Sequence, residues 1–268
     1  MSKYLLELEN IHTNYDNSLV LKEINLKIKE HEHWVILGAN GSGKSTLIKL
    51  LLNDLYPNPK YPYVKKIFGQ ELWETSALKK KLGIITNDLH SYFEAHGSFL
   101  SAYEVVLSGY FATIGVFTHQ DFSDEQHKRA TEVLEYLEIL HIKEKKVHQM
   151  STGQLRRCII GRALIHNPSA FVLDEPTVGL DIKVQDSFIK LIRKLSKNAS
   201  IILVTHHVEE IFAEVTHIAL MHNKTIFKQG KKEEILTSKN LSEIFEIEID
   251  LSLENERYYI KSVGNITQ

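Results

Sequence analysis

Two short stretches of this chain carry residue types at spacings that suit chemistry. Gly38-Ala39-Asn40-Gly41-Ser42-Gly43-Lys44-Ser45 sets glycines, a lysine and a hydroxyl residue at the spacing of a phosphate-binding loop. Glycines let backbone N–H groups approach phosphate closely, Lys44 would reach the terminal phosphates, and the Ser45 hydroxyl would ligate Mg²⁺. The plainer alternative is a structural glycine turn. Much later, Phe171-Val172-Leu173-Asp174-Glu175 is an apolar strand that ends in two acids. Asp174 would hold Mg²⁺, directly or through water, and Glu175 would polarise an attacking water as general base. Taken alone, the pair also reads as loop carboxylates after a strand.

These residues need elements to position them. The first 37 residues read as strands: Tyr4 to Leu8, then Val20 to Ile28 with largely alternating apolar positions, then His33 to Leu37 running into the glycine loop. Leu47, Ile48, Leu50, Leu51 and Leu52 make an apolar helix that must stop before Pro57 and Pro59. Strand, glycine loop and helix is the order a phosphate site requires. From about Tyr92 to Lys146 the pattern turns helical, with Ser123-Asp124-Glu125-Gln126 as a capping box ahead of Ala130, Val133, Leu134 and Leu137 on one face. A second helix takes Ser151 as its N-cap, aligns Leu155, Cys158, Ile159 and Ala163, and ends before Asn167-Pro168. The strand Ala170 to Leu173, a helix with Val184, Phe188, Leu191, Ile192 and Leu195 in register, and the strand Ile201 to Val204 follow. Such alternation predicts an α/β fold whose mainly parallel sheet is covered by helices. At the C-terminal end Phe245, Ile247, Ile249, Leu251 and Leu253 alternate with polar residues, and a Glu-Asn-Glu turn precedes Tyr258, Ile260 and Val263, which reads as a hairpin.

Composition narrows the function classes. The 268 residues carry 32 basic and 34 acidic side chains, a net charge of −2, so binding nucleic acid directly through bulk charge is not expected. Apolar runs such as Ser200 to Val204 fall short of the roughly 18 residues a membrane-spanning helix needs, so a pore is not expected either. One cysteine, Cys158, and an N-terminus without a long apolar core fit a cytoplasmic setting. The pairs His31/His33 and His206/His207 lack the neighbours of a zinc site, and Lys79-Lys80-Lys81 reads as a solvated face.

Met150-Ser151-Thr152-Gly153-Gln154-Leu155-Arg156-Arg157, with Leu173-Asp174-Glu175-Pro176-Thr177, Gly179-Leu180-Asp181 and Val204-Thr205-His206, resembles the ordered motifs of the ATP-binding cassette (ABC) ATPases, and the resemblance spans about Tyr4 to Gly230. It implies a P-loop nucleotide hydrolase with a mainly parallel core sheet, an N-terminal antiparallel β subdomain and an inserted helical subdomain. The nucleotide-binding domain would occupy 1–240, with the helical insertion at about 90–150, and a β-hairpin extension would occupy 241–268. It implies ATP and Mg²⁺ as ligands and a second nucleotide-binding domain as partner in a head-to-tail homodimer. Gly38, Asn40, Gly41, Ser42, Gly43, Lys44, Ser45 and Thr46 would hold the phosphates and Tyr15 would stack on the base. His206 would contact the γ-phosphate of the same ATP. Ser151 and the Gly153 backbone, with Gln154 and Asp181 alongside, would meet the ATP of the partner. An N-capped helix start suits that anion, though Ser151 is equally well a plain helix cap.

Two positions depart from the family pattern. Thr152 replaces a glycine, and a β-branched residue there implies helical backbone. Asn87 stands where the family has a glutamine that touches Mg²⁺; it offers the same amide on a shorter arm, with Asp88 and His90 as alternatives. The resemblance implies an ATPase on the inner face of the cell membrane, powering a separate membrane-spanning permease. The stretch Glu104 to Tyr110, continuing through Ile114-Gly115, is similar to the molybdenum-transport and photorepair branch, implying a metal, oxyanion or metal-chelate cargo. The alternative is a soluble cassette ATPase acting without a permease in a regulatory, ribosomal or DNA-associated role.

Overall fold

A computed structural model describes residues 3–15, 18–117 and 119–264. Along the chain run β1 (Tyr4–Tyr15), β2 (Ser18–Lys29), β3 (Trp34–Gly38), α1 (Lys44–Leu51), β4 (Val64–Ile67), α2 (Thr75–Lys81), β5 (Leu82–Ile85) and α3 (Asn87–His96). Next come α4 (Ala102–Leu107), α5 (Asp124–Tyr136), α6 (Thr152–Leu164), β6 (Ala170–Asp174), α7 (Ile182–Ser196) and β7 (Ser200–Thr205). β8 (His217–His222), β9 (Thr225–Lys231), α8 (Lys232–Ile235), α9 (Ser238–Phe245), β10 (Glu248–Glu254) and β11 (Arg257–Gly264) complete it. These elements divide into two compact units, Met1–Trp73 with Ser200–Gln268, and Glu74–Ala199.

In the first unit β3 lies between β7 and β8, parallel to both, and β9 pairs antiparallel with β8. Every residue of β3 and β7 is buried, which is why both read as unbroken apolar runs without alternation. A separate antiparallel sheet of order β2-β1-β4 shows the opposite pattern. In β2, Ile24, Leu26 and Ile28 are buried while Asn25, Lys27 and Lys29 are exposed. The step from Leu21 to Ile24 breaks that period of two, and the strand absorbs the extra residue in a bulge around Glu23, whose φ is 50°.

The second unit is mostly helical, with β5 and β6 paired in parallel. Three of its helices start at a serine cap: Ser101 with Glu104, Ser123 with Gln126, and Ser151 with Gln154 each form a reciprocal capping box. Ala130, Val133 and Leu134 of α5 are buried on the expected face. Cys158 is buried in α6, and burial pushes its thiol up to about 12, so it is inert. The mainly parallel α/β organisation and the antiparallel N-terminal sheet are as the sequence and the resemblance imply. The C-terminal end differs in detail. Phe245 closes α9 instead of opening a strand, because Thr237 caps that helix and Leu241 and Ile244 bury at helical spacing. The hairpin itself runs from Glu248 to Gly264, and Asn255 and Glu256, both at positive φ, make the two-residue turn. Residues 265–268 of the expected extension lie outside the described residues.

Gly161 sits where α6 packs against α4 and α5; a Cβ there would meet Val106 Cγ2 at 2.8 Å and Leu137 Cδ1 at 2.9 Å. Replacing it with valine should cost at least about 2 kcal/mol by overpacking. Thermal unfolding is expected to fall by roughly 4–8 °C. An unchanged Tm would contradict this close approach.

Candidate active site

The first unit holds the phosphate loop. The chain leaving β3 at Gly38 reaches the start of α1 at Lys44 through a short loop, and Gly43 makes the last step at φ 107° as the N-cap. A Cβ at Gly43 would meet Leu21 Cδ2 at 2.9 Å in a conformation L side chains rarely adopt, so glycine is required there twice over. Gly41 also has positive φ and sits in open space. Lys44 lies back across the loop, its Nζ donating to the carbonyls of Gly38 (2.7 Å) and Ala39 (3.0 Å). That fold-back keeps the ammonium at the loop instead of letting it trail into solvent. Ser42 Oγ is buried and has no hydrogen-bond partner among the described residues, which leaves its hydroxyl for a bound ligand or a water to satisfy. Asn40 and Ser45 are exposed and Thr46 is half-buried in the first turn of α1. That turn carries no acidic residue, so its free N–H groups and positive dipole end stay open to an anion.

His206 follows Thr205, and the parallel pairing of Leu37 with Thr205 brings Gly38 and His206 to the same end of the sheet. Its ring is half-buried against His207, with centroids 3.9 Å apart, and His207 N donates to Thr205 Oγ1. Tyr15 ends β1 with 42% of its surface exposed and Lys49 Nζ 5.8 Å from its ring centre, so an aromatic face is available for stacking.

The second unit holds the acids. Asp174 closes β6, half-buried, and Glu175 turns sharply away at φ 45°. Parallel pairing of Ile85 with Leu173 sets Thr86 and Asn87 beside these acids, with Thr86 capping α3 through Leu89 N. Asn87 Oδ1 accepts from Arg156 Nη2 at 3.1 Å. Ser151 is exposed at the start of α6; Thr152 is already helical, as its β-branch implies. Gln154 is occupied by the capping box and by Lys145 Nζ at 3.0 Å. Gly153 is buried with Val184 2.7 Å from where a Cβ would stand, and Asp181 caps α7 through Val184 N at 3.0 Å. His90, one turn along α3, is held below the usual imidazole range by burial, with Arg156 adding to the effect and Glu94 opposing it.

Tyr15, Gly38 to Thr46 and His206 thus share one unit, and Asn87, Ser151, Gly153, Gln154, Asp174, Glu175 and Asp181 share the other. Among the described residues no three His, Cys, Asp or Glu side chains converge on a metal position. The Ser45 hydroxyl in the first unit and the Asp174 carboxylate in the second are each oxygen donors of the kind that Mg²⁺ accepts. Asn87 fits less well, since its oxygen is engaged by Arg156. Arg156 carries no role in the motif reading. In the sequence it is only the first of two arginines between Leu155 and Cys158, and nothing in their spacing separates it from Arg157.

Residues 21–178 match the ABC transporter family. YlmA of Bacillus subtilis, an ABC transporter ATP-binding protein, is 30% identical over 98% of this chain and 99% of its own length. A solved ABC transporter of proposed metal-chelate type, in an inward-facing conformation, superposes with a TM-score of 0.76 and 25% identity, covering 96% of each chain. A dimeric ATP-binding cassette in a post-hydrolysis state with ADP and phosphate gives 0.67 and 26%, covering 84% of this chain and 98% of that one. With the phosphate loop, the acid-tipped strand and these likenesses together, this chain belongs to the ABC transporter family as an ATP-binding, ATP-hydrolysing subunit.

Proposed function

We propose that this chain is the motor of a transporter: two copies pair head to tail, hydrolyse ATP with Mg²⁺, and drive a separate membrane-spanning permease from the inner face of the membrane. The observation that carries this reading is the phosphate loop, with Lys44 laid across Gly38 and Ala39 and the orphaned Ser42 hydroxyl beneath it. Gly38, Asn40, Gly41, Ser42, Gly43, Lys44, Ser45 and Thr46 bind and orient the phosphates, and Tyr15 stacks on the base. Ser45 and Asp174 would each offer an oxygen to Mg²⁺, and the ion when bound would neutralise charge on the phosphates. Glu175 takes the proton of the attacking water, and His206 donates a hydrogen bond to the γ-phosphate. Ser151, at an exposed and dipole-favoured helix start, serves the ATP of the partner copy, with Gly153, Gln154 and Asp181 shaping that surface.

The cargo we propose is a metal, an oxyanion or a metal chelate. Support comes from the likeness, over nearly the whole chain, to the transporter of proposed metal-chelate type. The near-neutral net charge gives no reason to assign a nucleic-acid partner.

Glu175→Gln protein should bind ATP normally and lose about 10²–10⁴ in hydrolysis rate, measured as phosphate release from the purified chain. Hydrolysis at the wild-type rate would remove Glu175 from the role of base. Affinity capture of the tagged chain from solubilised membranes should recover a multi-span protein. A purely soluble or ribosomal set of partners would overturn the permease assignment and support a free-standing cassette ATPase instead.

A further inference from the structure

Two adjacent arginines of α6 do different things. Arg157 is half-buried, and donates to Leu137 O at 2.7 Å and Ser187 Oγ at 2.6 Å, an ordinary tie among α5, α6 and α7. Arg156 is only 5% exposed and turns its guanidinium toward the acids. Nη1 donates to the carbonyls of Glu175 (3.3 Å) and Pro176 (2.5 Å), and Nη2 donates to Asn87 Oδ1 (3.1 Å). One planar cation therefore grips two consecutive peptide planes after β6 and the first residue of α3.

The grip falls on a demanding piece of backbone. Glu175 is a non-glycine residue at φ 45°, and its carbonyl also accepts from Val178 N at 3.3 Å in the turn that follows. Where a carboxylate points depends on the φ and ψ of its own residue. A cation bound to the carbonyls of Glu175 and Pro176 resists relaxation of that turn, and so fixes the Cα–Cβ direction from which the Glu175 side chain reaches. A lysine could not do the same: its ammonium is a single point on a flexible stem, whereas the guanidinium spans separate acceptors with a rigid fork.

We infer that Arg156 is a positioning residue for hydrolysis, which fixes the turn bearing Glu175 and takes Asn87 as its anchor on α3, so that Asn87 serves Arg156 and not the metal. This inference rests on the reading of Glu175 as the base. It makes the start of α3 and the turn that bears Glu175 mechanically one unit, joined through α6.

The test uses the full-length chain in steady-state ATP hydrolysis, with Arg156→Lys, Asn87→Ala, the double variant, and Arg157→Lys as the comparison on the same helix. Arg156→Lys should lower kcat about tenfold or more, because the base is misdirected, while KM for ATP stays within about threefold. Arg157→Lys should shift the melting temperature without this kcat-specific loss. Asn87→Ala should lower kcat with an unchanged Mg²⁺ requirement. The double variant should fall no more than about twofold below Arg156→Lys, because both changes break one bridge. Wild-type kcat in folded Arg156→Lys, or losses that multiply in the double variant, would overturn the inference. If Arg156→Lys does not fold, Asn87→Ala decides alone: a kcat loss at constant Mg²⁺ requirement supports the bridge, and an unchanged kcat or a raised Mg²⁺ requirement overturns it. Glu175→Gln run in parallel separates the two readings, since an active Glu175→Gln protein defeats the base assignment, whereas an inactive one beside a fully active Arg156→Lys protein defeats only the positioning role.

Discussion

In the proposed function, a phosphate group held against the open N-terminus of α1 is the interaction on which the rest of the molecule depends. The buried strand Trp34–Gly38 delivers the chain to one end of a parallel sheet, and the left-handed backbone of Gly43 lets α1 begin there with its free N–H groups facing out. Lys44 adds a positive charge and braces the loop by binding its carbonyls. No acid in the first turn of α1 cancels this field. Much else in the first unit follows from that arrangement: β7 and β8 must flank β3 in parallel to bury it, and His206 then emerges beside the loop because its strand runs in the same direction.

A second helix start in the other unit repeats the same physics with different chemistry. α6 begins at an exposed Ser151, and its capping box satisfies two backbone groups while the remaining dipole end faces outward. Asp181, by contrast, uses its carboxylate to cap α7. In the proposed function, the phosphate loop and the helix start at Ser151 act on different ATP molecules, which makes pairing of two copies a consequence of the chemistry.

Local signals in the sequence carried most of this architecture. Capping boxes at Ser123 and Ser151 each span four residues, and their helices start where the residues say they should. Strand β3 and the glycine loop are contiguous, so their order could be read directly. Elements with little periodicity stayed silent: β4 has four residues, and α2 has one buried side chain among seven. Phe245 misled because alternation over five apolar residues outweighed a helix cap at Thr237 eight positions earlier. The bridge made by Arg156 was illegible for another reason. Its acceptors lie 19, 20 and 69 positions away, and two of them are main-chain carbonyls that no side-chain pattern reveals. The left-handed turn at Glu175 is equally a product of tertiary context, since glutamate has no local preference for it.

Whether two copies share each ATP is measured most directly by sedimentation velocity on chain whose hydrolysis is blocked by Glu175→Gln, with and without ATP and Mg²⁺. Ser151→Asp in that background is the informative companion, because aspartate caps a helix as well as serine does but sets a carboxylate against an incoming phosphate. The account predicts a monomer without nucleotide, a dimer with ATP, and a monomer that still binds ATP once Ser151→Asp is added. A mass that ATP does not change, or a Ser151→Asp protein that dimerises as readily, would contradict it.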